Sequence, residues 1–198
     1  MLLHPIIETE RLILRPPQAG DEVFLNQAIK ESLPELSRWM PWARDPSIET
    51  TRNFIHKNLQ HWGTDEMKEM AFITVLKQEN LIIGACGYND ESDPFVPYFE
   101  IGYWIHSHFT GKGLATELAL ALSHYAFDVF KAVRVQICCQ PDNVKSRRVI
   151  EKCGYQFEAK LRNQCLDLLS GKPTDRLVFA CFSPEQLPKI FIKYTHTD

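Results

Sequence analysis

The sequence predicts one mixed α/β domain, a central sheet flanked by helices. Strand-like and helix-like segments alternate in the order strand, two helices, three strands, helix, strand, helix, two strands. No repeat, low-complexity segment or linker interrupts them. The 198 residues suit a single domain large enough to bury a real hydrophobic core.

LILRP, residues 12–16, reads as the first strand, and Asp21 as the cap of a helical stretch to about Ser32. LSRWMPWARDP (36–46) holds two prolines and two tryptophans, so it reads as a loop or a broken helix. Ser47, Glu49 and Thr50 open a second helix to about Trp62, with Phe54, Ile55, Leu59 and Trp62 on one face. AFITVLK (71–77) and LIIGACGY (81–88) flank the polar turn Gln78–Asn80 as a β-hairpin. Residues 89–97 are acidic and contain proline, hence loop, and YFEIGYWI (98–105) is the next strand. Leu114 to Phe130 repeats apolar residues at helical spacing, with Leu118, Leu122, Tyr125 and Val129 on one stripe. VRVQICC (133–139) is a strand, and Asn143 to Lys152 a short helix ended by Gly154 as a left-handed cap. YQFEAKL (155–161) and RLVFACF (176–182) are the last strands, which sets the domain at residues 1–183 and a C-terminal tail at 184–198.

Composition narrows the function. A net charge of −3 is a poor match to nucleic acid, and no apolar run approaches the roughly 20 residues that span a bilayer. The N-terminus lacks the basic start and long apolar run of a signal peptide. The six cysteines form no C-x-x-C pair and sit mostly in apolar strands, as reduced thiols of a cytoplasmic protein would; a zinc site or a catalytic cysteine is the alternative. The histidines, at 4, 56, 61, 106, 108, 124 and 196, show no metal spacing; His106 and His108 share a strand face but lack a third ligand.

The chemistry concentrates in EIGYWIHSHFTGKGLATELALAL. Gly111 and Gly113 remove side chains where a backbone must approach something closely. The amides from about Gly111 to Ala115 then stand at a helix N-terminus without intrahelical partners, an anion site suited to a pyrophosphate, with Lys112 as a mobile cation. A tight turn with no ligand is the alternative. Neither usual nucleotide motif fits: Lys112 is followed by Gly113 rather than Ser or Thr, and residue 116 is Thr where a dinucleotide fingerprint has Gly.

Further motifs follow in order: GYWI at 102–105, Thr110-Gly111-Lys112-Gly113-Leu114-Ala115 with Thr116-Glu117, Asn143, Ser146, Lys152, Gly154 and Tyr155 downstream, then E-x-x-L-R at 158–162 and G-K-x-x-D at 171–175. With LSRWMPW, these resemble the GNAT superfamily of N-acetyltransferases over about residues 8–183, and within it the ribosomal-protein N-terminal (Rim-type) branch. Thr110 stands where that pyrophosphate loop has Gln or Arg.

The resemblance implies a mostly antiparallel sheet with one parallel, splayed strand pair, and acetyl-CoA as co-substrate without a metal. It places CoA on Trp104, Ile105, Thr110 to Thr116, Asn143 and Ser146, with the main chain around Tyr103–Ile105 holding pantetheine and supplying an oxyanion donor. Asn143 is equally suited to capping its helix. Where many members carry a Tyr seven residues after this Asn, the chain has Ile150, so Ser146 is the candidate proton donor to the departing thiolate. Cys165 occupies the place of the branch's carboxylate; Glu100, beside Gly102 on the bulged strand, is the candidate base or else a solvent-facing strand carboxylate, and Asp167 and Asp175 are weaker candidates. Trp39, Trp42 and Tyr98 would line the acceptor cleft, or equally serve the core. The implied partner is an amine acceptor, a protein N-terminus before a small-molecule amine, on a monomer or homodimer. A CoA-binding module without transfer activity is the reading from another class.

Overall fold

In the computed structural model, which describes residues 5–62, 64 and 69–196, the chain opens with two short antiparallel strands, β1 (Pro5–Glu8) and β2 (Leu12–Arg15). β1 was not legible as a strand in the sequence. It is only four residues long, and its pairing partners are β2 and a strand from the far end of the chain.

Helix α1 (Asp21–Glu31) starts one residue earlier than a cap at Asp21 would allow. The cap position is Gly20, in the left-handed region at φ 96°, with no side-chain cap. Asp21 instead closes the preceding turn, accepting from Gln18 N at 2.7 Å and from both Arg15 Nη atoms at 2.7 Å. Residues 36–46 are a broken helix, as expected: α2 (Leu33–Trp39), then a 3₁₀ turn Pro41–Arg44. α3 (Ile48–His61) is capped by Ser47, which accepts from Thr50 N. Its inward face is Thr51, Ile55, Asn58 and Trp62, so Leu59, expected on that face, is exposed.

Strands β3 (Met70–Leu76), β4 (Leu81–Tyr88) and β5 (Tyr98–Ile105) form an antiparallel meander. α4 (Leu114–Asp128) crosses over to β6 (Arg134–Cys139), which lies parallel to β5, the connection a parallel pair requires. α5 (Val144–Lys152) follows, then the long hairpin β7 (Gln156–Leu166) and β8 (Pro173–Cys181), and finally β9 (Lys193–His196). The sheet order is β7-β8-β6-β5-β4-β3-β2-β1-β9, antiparallel everywhere except β5–β6. Residues after 183 thus join the sheet edge, with β9 paired to β1.

Two apolar clusters lie on the two faces. α4 and α5 pack Leu118, Leu122, Tyr125 and Ile150 over one, against Phe72, Ile101 and Val135. α1, α2 and α3 pack Leu25, Ile29, Leu36 and Ile55 over the other, against Ile73, Val75 and Ala85. The central strands are covered on both sides, which is why β3 and β4 read as near-continuous apolar runs.

The parallel pair is short. Its register holds at Tyr98↔Arg134, Phe99↔Val135 and Glu100↔Gln136 and then stops, although β5 runs on to Ile105 and β6 to Cys139. The two strands part at their C-terminal ends, the splay expected from the family resemblance.

Gly154 ends α5 in the left-handed region at φ +86°, and an added Cβ there would lie 2.4 Å from the Gln186 carbonyl oxygen. Gly154→Ala should therefore destabilise the protein by roughly 2–4 kcal/mol, from backbone strain plus a clash with main chain. Urea denaturation measures it, and an unchanged midpoint would mean that the 184–186 turn yields freely.

Candidate active site

The glycine loop sits where β5 hands over to α4. Gly111 (φ +77°) and Gly113 (φ +80°) are both left-handed, and Gly113 is the N-cap of α4 without a side-chain cap. The amides of the first turn therefore face outward from the positive end of a 15-residue helix. Thr110 bonds the Ser107 carbonyl at 2.9 Å, and the Lys112 ammonium lies 5.0 Å over the Phe109 ring. Leu114 is buried, and the Thr116 carbonyl accepts a weak bond from Cys153 Sγ at 3.7 Å.

A brace that the sequence did not reveal holds this loop. Glu117, in the first turn of α4, accepts from Thr9 Oγ1 (2.6 Å), Arg11 N (2.9 Å) and Arg11 Nε (2.7 Å). Arg11 also donates to the Lys112 carbonyl at 2.9 Å. The β1–β2 turn is thereby clamped to the loop across about a hundred residues of chain, and a Cβ on Gly113 would meet Arg11 Nη2 at 3.5 Å.

On the other side of the splay, Asn143 caps α5 by accepting from Ser146 N at 3.1 Å, so the cap role is present. Ser146 Oγ lies 3.1 Å from the Tyr103 hydroxyl. This pair of hydroxyls joins β5 to the helix that follows β6. Burial pushes the Tyr103 phenol well above its ordinary value, so it is protonated at neutral pH and available as a hydrogen-bond donor.

A cavity of about 420 Å³ lies beneath α1, α3 and the Pro41–Arg44 turn. Leu25, Ile29, Met40, Trp42, Phe54 and Trp104 supply its apolar wall, and Trp42 and Trp104 stand 5.9 Å apart between ring centres. Asp45, Thr50, Glu69 and Asn89 are polar points on the wall. The floor includes Gly87 and Gly102, paired across β4 and β5, with open space where a Gly102 side chain would stand. The cavity therefore reaches the β5 main chain just past the point where β6 departs.

Of the three aromatics expected in the acceptor cleft, Trp42 alone is in this lining. Trp39 lies under Arg38 at 4.6 Å, and Tyr98 faces Arg134 at 5.7 Å; both are outside it.

Glu100, the expected base, is a structural residue. It is 3 % exposed and its carboxylate accepts from Asn89 (2.7 Å), Arg176 (2.5 Å), Gln136 and the Cys138 thiol (3.4 Å). Its lone pairs are committed, and Asn89 stands between it and the cavity. The neighbouring Cys138 thiol is pushed up to about 12 by burial and then by the Glu100 charge, so it is no nucleophile at neutral pH. All six cysteines are unpaired. Asp167 and Asp175 serve the β7–β8 hairpin, bonded to Ser170 and Lys160.

His106 and His108 do meet a third group, Glu31, with ligand atoms within 4.8 Å of one another. The hydrogen bonding opposes a metal there. His106 Nδ1 accepts from His108 N at 3.2 Å, so Nε2 carries the ring proton and donates it to Glu31 at 2.9 Å. A metal on Nε2 would need the proton on Nδ1. The contact docks the end of α1 on the segment leading to the glycine loop, and Ser107 N adds a bond to Ser32 Oγ at 3.0 Å. His4 lies outside the described residues.

Replacing Glu100 by Gln keeps the shape but leaves the Arg176 charge unpaired. It should cost roughly 2–4 kcal/mol of stability. Urea denaturation at pH 7 tests this; unchanged stability with lost activity would return Glu100 to the role of base.

The acetyltransferase (GNAT) domain matches residues 11–156. YdaF of Bacillus subtilis (strain 168), provisionally named a ribosomal N-acetyltransferase, is 30% identical over 155 residues, 78% of this chain and 82% of that protein. The ribosomal-protein-serine acetyltransferase of Escherichia coli (strain K12) is 27% identical over 116 residues, 59% of this chain and 62% of that protein. Among solved structures, the ribosomal L7/L12 alpha-N-protein acetyltransferase RimL in complex with coenzyme A shares the fold, with a TM-score of 0.80 at 22% identity over 90% of this chain and 98% of that chain. The splayed parallel pair, the capless glycine loop and a family domain that spans well over half of the sequence agree: the chain belongs to the GNAT acetyltransferase family and is an N-acetyltransferase.

Proposed function

We propose that the protein transfers the acetyl group of acetyl-CoA to a primary amine, before all a peptide or protein N-terminus, by direct attack with both substrates bound. The observation that carries this is the junction of two openings at one place. The gap between β5 and β6 begins after Glu100↔Gln136, and the apolar cavity reaches Gly102 two residues later.

The residues fit CoA. The first-turn amides of α4 and Lys112 suit a pyrophosphate, and the unpaired edge of β5 from Gly102 to Ile105 suits the amide-rich pantetheine arm. The β5 main chain beside that arm is the candidate oxyanion donor. In this reading the Ser146–Tyr103 pair, 3.1 Å apart, returns a proton to the sulfur as the C–S bond breaks.

Glu100 is committed to Asn89 and Arg176, so the amine's proton is not routed to it. An N-terminal amine, with pKa about 8, costs about 1.4 kcal/mol to deprotonate at pH 7, whereas a lysine at about 10.4 costs about 4.6. Water suffices for the first. The named ribosomal relatives point the same way. No described helix is long and apolar enough to cross a membrane, and six unpaired thiols fit a reducing, cytoplasmic setting.

Calorimetry with CoA tests the cofactor side. Lys112→Ala should weaken binding less than about threefold, and Arg11→Ala, which removes the brace without touching CoA, about tenfold. A larger loss at Lys112 than at Arg11 would mean that side-chain charge rather than loop shape holds the pyrophosphate.

Steady-state kinetics on an N-terminal peptide tests the acid. Ser146→Ala and Tyr103→Phe should each lower kcat roughly tenfold or more while KM for acetyl-CoA stays near wild type. Unchanged kcat in both would remove the hydroxyl pair from the reaction, and no amine-stimulated thiol release at all would refute the transfer itself.

A further inference from the structure

The described lining of the acceptor cavity holds two carboxylates, Asp45 and Glu69, and no lysine, arginine or histidine. Their situations differ. Asp45 is spent on its own turn, accepting from Thr50 Oγ1 at 2.5 Å and Ser47 N at 3.1 Å; the Thr50 and Ser47 bonds hold it below the usual carboxylate range. Glu69 has no hydrogen bond or ion pair with any described residue. It is half-buried one position before β3, on the side of Ala71, Ile73 and Val75, which is the cavity face of that strand. Arg176 lies outside the described lining and is paired with Glu100.

A carboxylate with no partner among the described residues, on a mostly apolar wall without a described cation, attracts a cation and repels an anion, and partial burial strengthens both. We infer that Glu69 is a specificity-determining residue of the acceptor cavity, which takes an amine on an apolar body and excludes one that carries a carboxylate beside the amine. This inference rests on the acyl-transfer reading of the cavity and narrows it. Amides, peptide N-termini and simple arylalkyl amines belong to the accepted class; free amino acids do not. The excluded group is defined by charge alone, since a free amino acid and its amide have nearly the same shape.

The test compares phenylalaninamide with phenylalanine as ligands of the CoA-bound protein, by calorimetry or ligand-observed NMR, in wild type, Glu69→Gln and Glu69→Asp. Wild type should prefer the amide by roughly 10- to 100-fold, the range expected for one like-charge contact at about 6 Å in a partly buried site. Glu69→Gln should cut that preference by about tenfold, and Glu69→Asp, which keeps the charge, should retain most of it. Circular dichroism confirms the fold of each variant.

Equal affinity of wild type for the two ligands, no binding of the amide, or a preference unchanged in Glu69→Gln would each overturn the assignment. Selective binding without thiol release from acetyl-CoA would uphold it while refuting the transfer reaction.

Discussion

The structure depends on where β5 and β6 stop pairing. Their last shared register is Glu100↔Gln136, and the buried Glu100 carboxylate sits on that rung, bound to Gln136 of β6 and Arg176 of β8. Three strands are thus pinned at one point, two residues before Gly102. Beyond it, one edge of β5 has no strand beside it, and the backbone groups there need another partner. A buried charge pair is a poor source of net stability against an apolar alternative, but it fixes geometry, because a shift in register would strand a charge. At this fork it sets the origin of the cleft.

The two ends of that cleft are built from different materials. At the far end, a helix N-terminus and two left-handed glycines present backbone amides, and the Arg11–Glu117 brace fixes their position from an unrelated turn of chain. Near the fork, Tyr103 reaches from β5 to Ser146 on α5, so the opening is bridged by hydroxyls that keep their protons. Backbone recognition suits a cofactor that never varies. A protonated hydroxyl pair suits hydrogen bonding to charge that develops beside it.

This division explains what the sequence showed. The glycine loop, the bounds of β5, the Asn143 cap and the Gly154 stop are local features, each written in a few neighbouring residues, and all were legible. β1 and β9 were not, since each is four residues long and exists by pairing with the other end of the chain. Glu100 was visible as a carboxylate beside the cleft, but its partners Gln136 and Arg176 lie 36 and 76 residues away, and only they show that it is a staple. Arg11 with Glu117, and Glu31 with His106, were hidden by the same distance. Leu59 failed for a smaller reason: the inward stripe of α3 runs through polar Thr51 and Asn58, which an apolar count passes over.

The cavity beneath α1 and α3 follows from helix breaking. Pro34, Pro41 and Pro46 interrupt the chain between α1 and α3, so this face carries a short helix and a 3₁₀ turn where a continuous helix would cover the strands. The strands beneath are apolar on that side and leave a concave surface of side chains, with Trp42 and Trp104 at its rim. The glycine loop presents main chain, whose shape many sequences can produce from one short motif. The cavity wall is made by side chains from α1, α3, β3, β4 and β5 and the turns between them, brought together only by the finished fold. If this cavity takes the acceptor amine, its selectivity turns on single residues that no short motif contains, and on charge more than on shape, because a mostly apolar wall offers little else to distinguish one small amine from another.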